Sequence, residues 1–225
     1  MRSVRDHSIA VIPCLDEAVS VAEVVRRTRN WVGQVVVVDD GSSDATASEA
    51  AAAGARVERH EEPRGKGAAL ATGWSVARGM GAEWSLLLDG DGQHDPDDAG
   101  AFFSQAEAGA RLVIGNRMPA AGSMPWLRRQ TNRWMSRRIS ALAGIVIPDS
   151  QCGFRLVHLP SLEQLVLDCR HYEVESEMTV AFARAGHPIA SVPIQVRYGG
   201  ERSKISPVRD TLRWLRWYGR TRRNR

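Results

Sequence analysis

Three consecutive leucines, Leu86 to Leu88, run straight into Asp89-Gly90-Asp91-Gly92-Gln93-His94. An apolar run without alternation reads as a strand buried on both faces, the habit of a parallel sheet. The Asp-Gly pairs that follow read as a tight loop at the strand's carboxyl end, the edge where open α/β sheets place ligands. Upstream, Gln34 to Val38 is a second apolar strand, closed by Asp39-Asp40-Gly41-Ser42-Ser43-Asp44. Carboxylates in such loops either build the turn or hold a hard divalent cation, because Mg²⁺ and Mn²⁺ prefer oxygen ligands. One acidic strand end leaves these uses evenly matched, and a second one shifts the balance toward a ligand.

The rest of the chain reads as alternating strands and helices. Ser8 to Pro13 is a first strand, and Glu17 to Asn30 a helix with Val21, Val24, Val25 and Thr28 at helical spacing. An Ala-rich helix to Ala53, a short strand at Arg56–Arg59, a loop at Glu61–Gly67 and a helix over Ala68–Met80 come next. Trp84–Leu88 is the fourth strand, a helix begins near Pro96, and Leu112–Gly115 is the fifth strand. Helices over 125–143 and 172–185, a strand over Ile189–Tyr198 and a cationic amphipathic C-terminal helix complete the reading. The pattern is that of βαβ units and a mostly parallel, Rossmann-like sheet flanked by helices. Right-handed crossovers then bring Asp39, Asp40, Asp89 and Asp91 to one crevice.

Composition narrows the setting. The chain has 225 residues, 43% of them hydrophobic, enough for one large domain. Cys14, Cys152 and Cys169 are scattered and odd in number, so no disulfide framework is expected and a cytoplasmic setting fits. The N-terminus shows no signal peptide, and the longest apolar stretch, Ile139–Ile147, falls short of the ~20 residues that span a bilayer. The net charge of +4 is uneven: residues 126–138 carry five Arg and no acid, and residues 201–225 carry nine Lys/Arg against Glu201 and Asp210. An acidic body with two basic patches points to an anionic partner: phospholipid, a phosphate-bearing substrate or nucleic acid.

Six motifs in order carry a resemblance: Val11-Ile12-Pro13…Glu17, Val38-Asp39-Asp40-Gly41-Ser42, Arg64-Gly65-Lys66-Gly67, Asp89 to His94, Gly115-Asn116-Arg117 and Gln151-Cys152-Gly153-Phe154-Arg155, with Glu201 to Ser206 beyond them. The chain resembles the inverting family 2 glycosyltransferases, and within them the dolichyl-phosphate mannose synthase branch that makes polyprenyl-phosphate sugars. The resemblance implies a GT-A fold over 1–206, with a nucleotide half at about 1–115, an acceptor half at about 116–206, and the basic helix at 207–225. It implies that Pro13, Glu17, Asp39, Lys66, Asp89 and Asp91 bind the nucleotide sugar. Asp89, Asp91 and Gln93 would hold Mg²⁺ or Mn²⁺, and His94 would be a packed or exposed neighbour.

Acceptor chemistry follows from charge. A sugar hydroxyl needs a general base, whereas a phosphate monoester is already ionised near neutral pH and needs cations to bind it. Arg117, Arg128, Arg129, Arg133, Arg202 and Lys204 supply them. By resemblance, Arg117, Arg202 and Lys204 bind the acceptor phosphate, as do Arg129 and Arg133 if the register of their segment allows. Asp91, Arg117 and Lys204 are the residues expected to be catalytic. Glu175 stands where many relatives place a general base; in the polyprenyl branch it would instead orient basic residues. Donors by resemblance are GDP-mannose and UDP-glucose.

Trp126, Trp134, Ile145 to Ile147, Trp214, Trp217 and Tyr218 either meet a membrane interface or pack on the domain. The expected location is peripheral, at the cytoplasmic face of a membrane, on an anionic surface and with room for a membrane-embedded partner protein. Two other readings stand beside this one. One is transfer to a sugar hydroxyl with Glu175 as base. The other is a non-enzymatic basic adaptor on anionic lipid or nucleic acid, which leaves the acidic strand ends unused; no nucleic acid is expected.

Overall fold

The computed structural model describes residues 3–120, 122, 124–197 and 207–223, leaving aside the side chains of 207 and 208. Its strands are β1 (Ser8–Cys14), β2 (Val35–Asp39), β3 (Arg56–Arg59), β4 (Trp84–Leu87), β5 (Leu112–Asn116), β6 (Arg155–His158) and β7 (Ile189–Pro193). They form one seven-stranded sheet in the order β3-β2-β1-β4-β6-β5-β7. β1 pairs in parallel with both β2 and β4, so the acidic ends of β2 and β4 emerge on the same edge. The unbroken apolar runs of β1, β2 and β4 are buried almost throughout, as strands covered on both faces must be. β3, at the sheet edge, carries Arg56, Glu58 and Arg59, charges that oppose pairing with another chain.

The helices are α1 (Val21–Thr28), α2 (Thr46–Ala52), α3 (Lys66–Gly79), α4 (Ala99–Glu107), α5 (Trp126–Ala143), α6 (Leu159–Glu163), α7 (Val174–Arg184) and α8 (Pro207–Arg223). α1 buries the expected Val21, Val24, Val25 and Thr28 but starts four residues after Glu17. Upstream, the amides of Glu17 and Ala18 donate to Thr46 Oγ1 and Asp44 Oδ2, which holds that segment against the start of α2 as a turn. α3 starts earlier than expected and takes Lys66 into its first turn. The Asp40 carboxylate accepts from the amides of Arg64 and Gly65 and so organises this entry from outside the helix.

β6 is absent from the sequence reading. It lies antiparallel between β4 and β5, and its first residue, Arg155, is a fully buried charge that conceals the strand pattern. β7 ends at Pro193, short of Tyr198. Beyond it the chain leaves β5 and crosses to the loop after β4, where Val196 bridges His94 and the Arg197 amide donates to the Gln93 carbonyl.

A second, smaller core joins Met135, Ile139 and Leu142 of α5, Val180 of α7, and Trp214 and Trp217 of α8. Trp214 and Trp217 are 2% and 4% exposed, and Tyr218 packs beside them. These aromatics therefore pack on the domain, because α5 and α7 present an apolar groove to that face of α8. Trp126 and Val146 stay open at 71% and 86%. Among the described residues no helix is long and apolar enough to cross a membrane.

α3 approaches the sheet closely at Gly73, where a Cβ would sit 2.3 Å from Val11 Cγ1. Helix propensity favours Ala over Gly by ~1 kcal/mol, while overpacking a tight core costs ~1–3 kcal/mol. Val11 is stiff and fully buried, so Gly73→Ala should lower the urea midpoint. A raised midpoint would show that propensity wins and that the contact yields.

Candidate active site

A cleft of about 670 Å³ opens at the carboxyl edge of the sheet. Its lining includes Pro13 of β1 and Glu17 after it, Asp40 after β2, Asp89, Asp91, Gln93 and His94 after β4, and Arg117 after β5. Arg128 and Asn132 of α5 and Arg209, Arg213 and Trp214 of α8 complete it. Lys66, Tyr172 and Glu175 form its floor, where the Lys66 and Glu175 side chains are largely buried.

The floor is an ion chain. Lys66 Nζ stands 2.6 Å from Asp89 Oδ1 and 2.6 Å from Glu175 Oε1. Burial alone would lower the lysine's pKa, but the two carboxylates overcome it and raise it, so the ammonium is fixed. Burial likewise opposes ionisation of Asp89, but Lys66 first, with His94 and Arg117, together outweigh it and hold the carboxyl at about 2. Gly153 makes the arrangement possible: a Cβ there would lie 2.5 Å from Asp89 Oδ2 and 2.9 Å from Lys66 Nζ. Tyr172 covers the ammonium from one side, with its ring centroid 6.0 Å away. Glu175 Oε2 is buried without a hydrogen-bond partner among the described residues.

Asp91 and Gln93 stand one turn further along. Asp91 Oδ1 accepts from the Gln93 amide, which shapes the loop, and both residues line the cleft. His94 is buried, 3.8 Å from Asp89 Oδ2, and burial lowers its pKa and favours the neutral ring. It is a packed neighbour of the acidic loop. No cluster of three or more His, Cys, Asp or Glu with the geometry of a metal cage occurs among the described residues. The donor set is instead one or two carboxylates and an amide side chain lining the cleft. That suits Mg²⁺ or Mn²⁺, which complete their shells with water and substrate phosphates, and the residues present fit such an ion.

The strand-end aspartates divide differently from the expectation. Asp39 does not line the cleft: its Oδ1 accepts from the Ser42 amide and its Oδ2 faces Arg59 Nε at 3.2 Å. Asp40 is the one that reaches the cleft, with His60 Nδ1 at 2.6 Å from its Oδ1. Successive side chains at a strand end point to opposite sides, so one of the pair had to turn inward.

Arg117 is 5% exposed and grips Asp149 through Nε at 2.7 Å and Nη2 at 2.9 Å. A bidentate buried pair fixes the guanidinium plane where it meets the cleft. On α5 the face toward the cleft carries Arg128, Thr131, Asn132 and Met135; Arg129 and Arg133 do not line it. Arg202 and Lys204 lie outside the described residues.

Several residues escaped the sequence reading. Asp149 sits in an unremarkable Pro-Asp-Ser turn and gave no signal. Gly153 stood in view within the Gln151–Arg155 motif, but its role is a contact with residues distant in sequence. Arg155 donates to the carbonyls of Ser150, Cys152 and Glu175 and to Thr179 Oγ1, and so ties the 150–152 loop to α7.

The sequence and fold have counterparts. Residues 9–166 match the family described as Glycosyl transferase family 2. The polyprenol monophosphomannose synthase of Mycolicibacterium smegmatis is 30% identical over 205 residues, 83% of this chain and 76% of that one. The UDP-N-acetylglucosamine–dolichyl-phosphate N-acetylglucosaminyltransferase of Methanococcus voltae is 27% identical, with 84% of each chain covered. A crystal structure of glucosyl-3-phosphoglycerate synthase from Mycobacterium tuberculosis, in complex with Mn²⁺, uridine diphosphate and phosphoglyceric acid, superposes with a TM-score of 0.73. The match covers 96% of this chain and 77% of that one at 24% identity, and it shows the fold to be GT-A. With the family matched over most of its length and the acidic strand ends gathered in one cleft, the chain belongs to glycosyl transferase family 2.

Proposed function

We propose that this glycosyltransferase moves a hexose, with inversion, from a nucleoside-diphosphate sugar to a polyprenyl phosphate of the dolichyl type. The observation that carries the reading is one cleft that brings Asp89 and Asp91 together with the guanidinium groups of Arg117, Arg128, Arg209 and Arg213. The names of the two relatives, which differ in sugar and agree on a polyprenyl- or dolichyl-type acceptor, support it. GDP-mannose and UDP-glucose remain the leading donors.

In this reading Pro13, Glu17 and Asp40 flank the nucleoside. Asp91 and Gln93, with Asp89, would hold the divalent ion. The bound ion would supply charge stabilisation to the departing diphosphate. Lys66 adds a fixed ammonium there, aimed by Asp89 and Glu175. The guanidinium groups bind an acceptor phosphate that is ionised on arrival, so no group need remove its proton. Arg202 and Lys204 are proposed to join them. Glu175 serves by orienting Lys66. The unpartnered Glu175 Oε2 favours a second reading, in which that carboxylate is the base for a sugar hydroxyl.

Membrane attachment is proposed through the exposed Trp126, Leu127, Val146, Leu212 and Leu215, set among arginines of α5 and α8. Apolar residues beside cations suit an anionic bilayer surface. The location would be peripheral, at the cytoplasmic face.

Transfer assays with Mn²⁺, a panel of nucleotide sugars and a short polyprenyl phosphate test the function. Asp91→Ala should reduce transfer about 10²–10³-fold with the fold intact, the scale of losing a main electrostatic stabiliser. Wild-type activity in that variant would remove the metal assignment. Glu175→Gln, which keeps an oxygen to accept from Lys66, should keep most of its turnover on polyprenyl phosphate. A loss of ~10²-fold or more would return the hydroxyl acceptor and its base.

The Asp89 carboxyl is held at about 2, below its unfolded value of ~3.9. It therefore stabilises the fold fully above about pH 4, and that contribution is lost as pH falls toward 2. Lys66→Met removes the cation that depresses it, so the acid-unfolding midpoint followed by circular dichroism should move upward; an unchanged midpoint would contradict the ion chain.

Trp126→Ser with Val146→Ser should release the protein from phosphatidylglycerol-containing liposomes while nucleoside-diphosphate affinity holds. Undiminished liposome retention would defeat the attachment surface.

A further inference from the structure

α8 does more than offer an outer face to lipid. Its Trp214 donates from Nε1 to Ser176 Oγ of α7 at 2.9 Å. The same Oγ accepts from Gln151 Nε2 at 3.0 Å. Ser176 is fully buried, and the two donors fill the acceptor capacity of its hydroxyl. Gln151 belongs to the loop that holds Arg117: its amide donates to Asp149 Oδ1 at 3.3 Å. Asp149 grips the guanidinium and also accepts from the Arg117 amide at 3.2 Å. The Ser150 amide in the same loop is anchored on Ser136 Oγ of α5 at 2.9 Å.

Continuous contacts thus run from α8 through one serine hydroxyl to the cleft arginine. We propose that Ser176 is a positioning residue through which the C-terminal helix fixes the 149–152 loop and, with it, Arg117. The proposal rests on the reading of the cleft arginines as the acceptor site. The same helix supplies Arg213 and Trp214 to the cleft lining, so its seating shapes that pocket directly as well. Removing the joint leaves the buried Trp214 Nε1 without its acceptor, an expensive loss, while Gln151 Nε2 keeps only Ser150 Oγ at 2.9 Å. The strands β1, β2 and β4 have no bond in this chain of contacts.

Two full-length variants test the proposal: Ser176→Ala, which removes the shared acceptor, and Trp214→Phe, which keeps an aromatic ring and removes the donor. In hydrogen exchange, both should speed the amides of Arg117 and residues 149–152 about tenfold, with β1 and β2 unchanged. In transfer to a short polyprenyl phosphate, both should raise acceptor KM about fivefold while the dissociation constant of the nucleoside diphosphate holds. Unchanged exchange at 149–152, or acceleration spread evenly across the sheet, would overturn the proposal. Absence of transfer to polyprenyl phosphate by the wild-type enzyme would instead strike the acceptor assignment, and the exchange data would still decide the joint.

Discussion

Lys66 is held by two carboxylates that arrive from distant parts of the chain, Asp89 at the end of β4 and Glu175 in the first turn of α7. Much of the site depends on that ammonium. Without it, two acids would share a poorly solvated floor; breaking a buried pair of this kind costs ~3–5 kcal/mol. With it, β4, α3 and α7 meet at fixed distances, and Gly153 must stay bare to let them close. The same contact leaves Asp91 and Gln93 facing the cleft while Asp89 is neutralised from behind.

Arg117 follows a parallel logic. It is buried and would be costly alone, so Asp149 holds it in a bidentate grip. Lys66 and Arg117 are thus each fixed by opposite charge. Both stand on a single sheet's framework, since β5, β6 and β7 continue from β4.

How much of this was legible in the sequence depended on the range of the signal. The strand ends were readable because a buried parallel strand must be apolar and its terminal acids must emerge at the ligand edge. The motif order was readable only through its resemblance to a known family. β6 was hidden because its first residue is a buried arginine satisfied by carbonyls from elsewhere, which local pattern cannot foresee. The start of α1 was misplaced because Thr46 and Asp44 capture the amides of Glu17 and Ala18. On α5, five arginines surround the helix, and only the packing of Met135, Ile139 and Leu142 against α7 and α8 selects Arg128 for the cleft. The α8 tryptophans mark a stripe, but a stripe alone does not tell whether protein or lipid covers it.

The two acidic strand ends and Lys66 are proposed to form one receptor for a nucleoside diphosphate with its divalent ion. Anomalous scattering from a crystal soaked with Mn²⁺ and a nucleoside diphosphate tests it most directly. The account predicts one manganese peak against the Asp91 carboxylate, with the diphosphate between it and Lys66. A peak elsewhere, with Asp91 unligated and the nucleotide away from the carboxyl edge of β1 and β4, would contradict it.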